Sequence, residues 1–152
     1  MKLDTLDKKL VNLLQEDAKQ TNKQLSLQLN LSVTAVYERI KKLERSGLIR
    51  KYVGLIDKKK VDLGFLVFCH IKLAQHSQEH ITIFETEVKK LDEVLECFHV
   101  SGEYDYLLKV IVEDMEHFRN FMITKLTTLK YVGSTQSSFT ISEVKNNTKI
   151  PL

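Results

Sequence analysis

A chain of 152 residues, 43% apolar and 28% charged, has room for one packed domain of ordinary size or two small ones. No apolar run approaches the roughly 18 residues that span a bilayer, and the opening MKLDTLDKKL lacks the apolar stretch of a secretory leader, so a cytoplasmic protein with no membrane partner is expected. Charge is lopsided: residues 1–60 carry 14 Lys and Arg against 7 Asp and Glu, a balance of +7, while residues 61–152 carry 9 against 13, a balance of −4.

The basic half begins with a helix over Asp4–Asp17, capped by Asp4 or Thr5, with Leu6, Leu10, Leu13 and Leu14 on one face. Thr21 with Gln24 makes a capping box for a second helix, in which Leu25, Leu27 and Leu29 supply apolar contacts. Asn30 suits a left-handed exit. Ser32 caps a third helix whose stripe is Val33, Val36, Ile40 and Leu43, and Gly47 suits its C-terminal stop. The stripe leaves Thr34, Ala35, Glu38, Arg39, Lys41, Lys42 and Arg45 facing outward. Two short helices joined by a tight turn, the second with a basic outer face, make a helix-turn-helix. The alternative is an ordinary helical hairpin with a solvated charged face. A major groove admits one α-helix, with small or polar residues near base edges and Arg or Lys on phosphates. Ser32, Thr34, Ala35 and Glu38 are the candidates for base edges. Arg39, Lys41 and Lys42 reach bases or backbone, and Thr21 and Lys23 are phosphate candidates. For Glu38 a surface ion pair competes with acceptance from a cytosine amine.

Leu48–Ile56 reads as an extended strand, favoured by Tyr52 and Val53. Lys58–Lys60 is a basic run, more often a solvated turn than a phosphate contact. From Phe65 the period shortens to two. Strands are expected over Phe65–Leu73, Val94–Val100, Tyr106–Val112 and Tyr131–Val144. A helix over Ser77–Leu91 turns Ile81, Phe84, Val88 and Leu91 inward. Another, capped by Asp114 and running to about Leu126, turns Met115, Phe118, Met122 and Leu126 inward. The order β-α-β-β-α-β is the ferredoxin-like arrangement. Both helices cover one face of such a sheet, which leaves Leu66 and Phe68 exposed on the other in a monomer. A second copy is the simplest cover, so a homodimer is expected. Cys69 and Cys97 lie in apolar strands and read as buried, reduced thiols. His76 and His80 are four apart without a third ligand and read as a surface pair, and His70 and His99 as packed or interface residues. No nucleophile elbow or phosphate-binding glycine loop occurs, so neither a catalytic site nor a cofactor or metal is expected.

The combination resembles the leucine-responsive regulatory protein/AsnC family of transcription regulators. The resemblance rests on LDTLDKKLVNLLQEDAK (3–19), LSVTAVYERIKKLERSGLI (31–49) with Tyr52, VSGEYDYLLKV (100–110) and STQSSFTISEVKNNTKIPL (134–152). It covers essentially the whole chain. Lys19 stands where the family usually has Arg, and Lys58 follows Asp57 where Pro is frequent. Ser137 takes the second place of the family's Thr-x-Thr pattern, keeping the hydroxyl and losing a methyl.

The resemblance implies an α+β protein with three parts. Residues 1–48 are a winged-like helix-turn-helix domain, 49–64 a connecting strand or linker, and 65–152 a ferredoxin-like effector-binding and oligomerisation domain. It implies double-stranded DNA with a pseudo-palindromic operator, an amino-acid effector held between subunits, and dimers assembling further, to an octamer. An effector's carboxylate needs backbone N–H donors, which the turn Ser101, Gly102, Glu103 and Tyr104 offers. Its ammonium needs oxygens, offered by Asp105, Thr135 and Ser137, with Gln136 available to a polar side chain. For Gly102–Asp105 the alternative is a plain turn closed by Asp105. For the whole chain it is an amino-acid-sensing interaction module without DNA binding, or an enzyme on the same fold.

Overall fold

The structure is a computed structural model that describes residues 2–152. It divides into two compact units, one of residues 1–55 with 145–152, the other of residues 56–144. The second boundary differs from the expected 65–152 domain, because the last residues pack with the first helix. Ile150 N–H donates to Gln15 Oε1 at 2.8 Å, Gln15 Nε2 donates to the Ile150 carbonyl at 3.0 Å, and Lys149 pairs with Glu16 at 2.5 Å.

The first unit holds α1 (Thr5–Glu16), α2 (Asn22–Leu29) and α3 (Val33–Arg45). Each starts where a side chain accepts an otherwise orphaned N–H. Asp4 and Asp7 form one capping box, Thr21 and Gln24 another, and Ser32 Oγ accepts from Ala35 N–H at 3.1 Å. Asn30 leaves α2 in the left-handed region at φ 52°. α3 ends at Gly47, where Leu48 N–H reaches the Leu43 carbonyl at 3.1 Å and Gly47 N–H that of Glu44 at 2.9 Å. Leu10, Val11, Leu25, Leu29, Val36 and Leu43 form the core, with Leu13, Leu14 and Ile40 partly buried against it. Two expected contacts are absent: Leu27 and Val33 are exposed. Leu27 lies two positions from both Leu25 and Leu29, about 200° around the helix from each. Val33 is the first residue of α3, before a full turn has formed.

Leu48–Ile56 is not a strand, contrary to its composition. Among the described residues the one sheet pairs only β-segments from Phe65 onward, and a strand exists only by pairing.

In the second unit a short 3-10 turn, Lys58–Val61, precedes β1 (Phe65–Leu73), α4 (Gln78–Val88), β2 (Val94–His99), β3 (Tyr106–Val112), α5 (Met115–Thr124), a second 3-10 turn (Leu126–Thr128) and β4 (Val132–Phe139). All neighbouring pairs are antiparallel, in the order β2-β3-β1-β4, as the ferredoxin-like fold requires. Side chains alternate across the sheet. Val67, Cys69, Ile71 and Leu73 of β1 and Leu108, Val110 and Val112 of β3 pack with Phe84 and Val88 of α4 and Phe118 and Phe121 of α5.

Several expectations are corrected here. Phe121, not Met115, takes the inward place in α5, since Met115 opens the helix and is exposed. β4 stops at Phe139 instead of Val144. Its last rung, Thr140 N–H to the Leu66 carbonyl at 3.1 Å, meets the start of β1, beyond which no partner remains. Leu66 is only 6% exposed, flanked by Ile111 of β3 and that end of β4, and Phe68 is half-buried. Cys69 is buried and free, whereas Cys97 is free and exposed because β2 is an edge strand. Burial pushes the Cys69 thiol up to about 11, so it stays protonated and unreactive at neutral pH. Among the described residues no helix is long and apolar enough to cross a membrane.

Candidate nucleic-acid interface and effector site

α3 advances about 100° per residue. Val36, Ile40 and Leu43 therefore fall on one side and bury there, and Thr34, Tyr37, Glu38, Lys41 and Arg45 fall on the opposite side. Thr34, Tyr37, Glu38 and Arg45 are exposed and Lys41 half-exposed. Lys41 Nζ pairs with Glu44 at 2.8 Å and stands 5.8 Å above the Tyr37 ring. Glu44 also accepts from the Tyr52 hydroxyl at 3.1 Å. The hydrogen bond to Lys41 holds the Glu44 carboxyl below its ordinary range, and that to Glu44 holds the Lys41 ammonium above its own. Lys23 and the capping Thr21 are exposed at the start of α2, next to its unpaired N–H groups.

Arg39 points elsewhere. Its Nη1 lies 2.6 Å from Asp7 Oδ1 and 2.8 Å from Asp4 Oδ2, and Lys42 Nζ is 3.9 Å from the second Asp7 oxygen. The Asp7 side chain is 1% exposed. Arg39 thus ties α3 to the start of α1, and its hydrogen bonds to Asp4 and Asp7 raise its already high pKa. Ala35 is half-buried on the same flank. Ser32 spends its hydroxyl on the cap. Tyr37 and Arg45 share the outer face with Thr34, Glu38 and Lys41. The stripe already turns Arg45 outward, though not as a named contact, and the helical angle, applied strictly, adds Tyr37.

The second site lies at one end of the sheet. The turn between β2 and β3 holds Ser101, Gly102 and Glu103 exposed, with Gly102 at φ +128°, a backbone state that suits glycine. Asp105 is fixed on three sides. Its N–H donates to the Ile71 carbonyl at 2.8 Å, its carbonyl accepts from Val100 N–H at 2.9 Å, and Oδ2 accepts from Leu73 N–H at 2.7 Å. Oδ1 faces His76 Nε2 at 3.4 Å. Asp105 therefore closes the turn through its own backbone, at Val100, and also ties it to β1 through its N–H and its side chain.

The β4 candidates divide between two faces. Thr135 lies opposite Ile71 and Ser137 opposite Cys69, on the helix-covered side, with Ser137 Oγ 3.9 Å from the Cys69 sulfur. Gln136 lies opposite His70 on the other side, where the Tyr104 hydroxyl donates to its Oε1 and the Tyr104 ring rests 5.2 Å from His70. Within one chain the structure joins Tyr104 to Gln136, while Thr135 and Ser137 face away from that pair. His76 and His80 do not converge: His80 stacks on Tyr131 at 3.6 Å while His76 turns to Asp105. His99 stacks on Tyr106 at 4.6 Å. A cavity of about 630 Å³ in the first unit, lined by Leu14, Val53 and Ile150 among others, contains no residue of the effector set.

Known proteins resemble the chain over both units. Residues 3–50 match the winged helix-turn-helix DNA-binding model, and residues 66–150 the Lrp/AsnC ligand binding domain. The chain is 37% identical to the leucine-responsive regulatory protein of Escherichia coli strain K12, over 97% of this chain and 90% of that protein. Its fold is similar to a transcriptional regulator from Neisseria meningitidis solved in complex with L-Met, with TM-score 0.94, 35% identity, and 99% and 97% of the two chains covered. An AsnC family regulator from Agrobacterium tumefaciens gives TM-score 0.93 and 34% identity over 98% and 97%.

Proposed function

The chain belongs to the Lrp/AsnC family of transcriptional regulators, and from that membership we propose that it reads a pseudo-palindromic operator as a homodimer and senses an amino acid. The protein is a regulator and not an enzyme, as its relatives are. It works in the cytoplasm, where its DNA is. The outer face of α3 carries the reading: polar Thr34, Tyr37 and Glu38 approach base edges, and Lys41 and Arg45 approach bases or phosphates. Lys42, Lys23 and Thr21 add backbone contacts. Ser32 and Ala35 set the start of the helix, and Arg39 serves by holding α3 on α1. Two such helices meet half-sites about one DNA turn apart or a multiple of it.

Dimers form through the sheet face away from α4 and α5, where Phe68, Leu107, Ile111 and the exposed Phe98 lie. They assemble further, toward an octamer, and the effector sits where subunits meet. Its ammonium is taken by Asp105, its carboxylate by the N–H groups of the Ser101–Tyr104 turn, and Gln136 meets a polar side chain, whereas Thr135 and Ser137, on the helix-covered face, stay outside the site. The L-Met held by the Neisseria relative supports the amino-acid class.

Two measurements test this. A gel shift on random duplex DNA at rising salt should show binding that weakens steeply, because phosphate contacts release counterions. Absence of binding at low salt leaves a sensing module without DNA. Thermal-shift screening against the twenty amino acids should yield at least one that raises Tm with concentration. If none does, the sensing half fails.

A further inference from the structure

We infer that His76 belongs to the effector site and makes amino-acid binding depend on pH. The inference rests on the reading above, in which Asp105 takes the ligand's ammonium. Of the two Asp105 oxygens, Oδ2 is already committed to Leu73 N–H at 2.7 Å. An ammonium taken by Oδ1 meets His76 Nε2, which lies 3.4 Å from that oxygen. The Asp105 side chain is 13% exposed and pinned by backbone bonds on both sides, so it cannot turn another edge to the ligand. His76 is the movable partner, 63% exposed on the loop between β1 and α4.

The neutral and charged rings behave differently toward an ammonium at Oδ1. A neutral imidazole shares the oxygen through one N–H, or swings aside at little cost. An imidazolium forms a charge-assisted bond to Oδ1 and places a positive charge against the ammonium. Binding of the ligand thus selects the neutral ring and releases a proton when it starts from the charged one.

Other titratable groups stand on the surrounding elements. They are Glu103 and Tyr104 on the Asp105 turn, Lys72 at the end of β1, Glu79 and His80 at the start of α4, and Tyr131 before β4. His80 is engaged by Tyr131 and by the Gln75 carbonyl at 3.3 Å. Asp105 is the acidic partner that faces His76.

The test is calorimetric titration of the full chain with whichever amino acid stabilises it most at pH 7.5. If binding needs the neutral ring, the amino acid binds about tenfold more weakly at pH 5.5 than at pH 7.5. In His76→Gln the two Kd values should agree within about twofold. In buffers of different ionisation heat at pH 6.5, the unmodified protein should release a fraction of a proton per ligand and His76→Gln none. Equal Kd values in the unmodified protein, or a pH dependence that survives His76→Gln, overturns the inference while the amino-acid reading stands. Unaltered binding by Asp105→Asn at pH 7.5 overturns the Asp105 reading and the inference with it.

Discussion

Arg39 and Lys41 sit two residues apart on one helix and serve different ends. Arg39 answers a carboxylate that is 1% exposed, and an unpaired buried charge is expensive. Removing the guanidinium leaves Asp7 with the Asp4 N–H at 3.3 Å and the ammonium of Lys42 at 3.9 Å. Arg39→Ala should therefore lower unfolding stability by about 2–3 kcal/mol, somewhat below the usual cost of breaking a buried pair because Arg39 is itself a quarter exposed. Lys41→Ala with Arg45→Ala should change stability by less than about 1 kcal/mol, since both are surface charges. The same double variant should weaken DNA binding and make the salt slope shallower by about 2, as two phosphate contacts are lost. Chemical denaturation and gel shifts in a salt series separate the two effects. A salt slope unchanged by the double variant would move the DNA contact off this face of α3.

At the level of elements, β4 shows how close packing sets a sequence requirement. Tyr131 takes φ +71° before the strand, and its carbonyl accepts from Ala74 N–H at 2.8 Å. This brings the backbone of residues 73–74 against Gly133, where an added Cβ would stand 2.9 Å from the Ala74 nitrogen. Backbone cannot yield as a flexible side chain does. Gly133→Ala should cost about 1–3 kcal/mol, read as a lower Tm. An unchanged Tm would mean that the end of the sheet relaxes freely. The segment Leu48–Ile56 teaches the converse. Its residue types suit a strand, yet composition supplies no pairing partner.

For the molecule as a whole, the surface that matters most is the sheet face opposite the two helices. Half-buried Phe68, Leu107 and Ile111 and exposed Phe98 form its apolar part, beside the Lys109–Glu96 ion pair on the same face. Phe98→Asp places a charge on that face and should shift the assembly toward smaller species in sedimentation velocity, with the far-UV spectrum unchanged. Equal sedimentation of variant and parent would put the dimer contact elsewhere.

Much of this protein is legible without coordinates, and the legible part has one physical character. The caps at Asp4, Thr21, Ser32, Ser77 and Asp114 bind groups three residues away. Helix stripes and strand alternation repeat within a few residues. Such features are written in neighbouring letters, so the helices, the strands of the sheet and the fold class could be read directly. What tertiary structure decided lies between distant positions. Arg39 finds Asp7 across 32 residues, Tyr104 finds Gln136 across 32, and Gln15 finds Ile150 across 135. The turn of Arg39 toward α1, the burial of Leu66 and the return of the tail to α1 all depend on which surfaces the chain brings together. Residue type sets what a side chain can bind, whereas packing chooses among the partners it could have had.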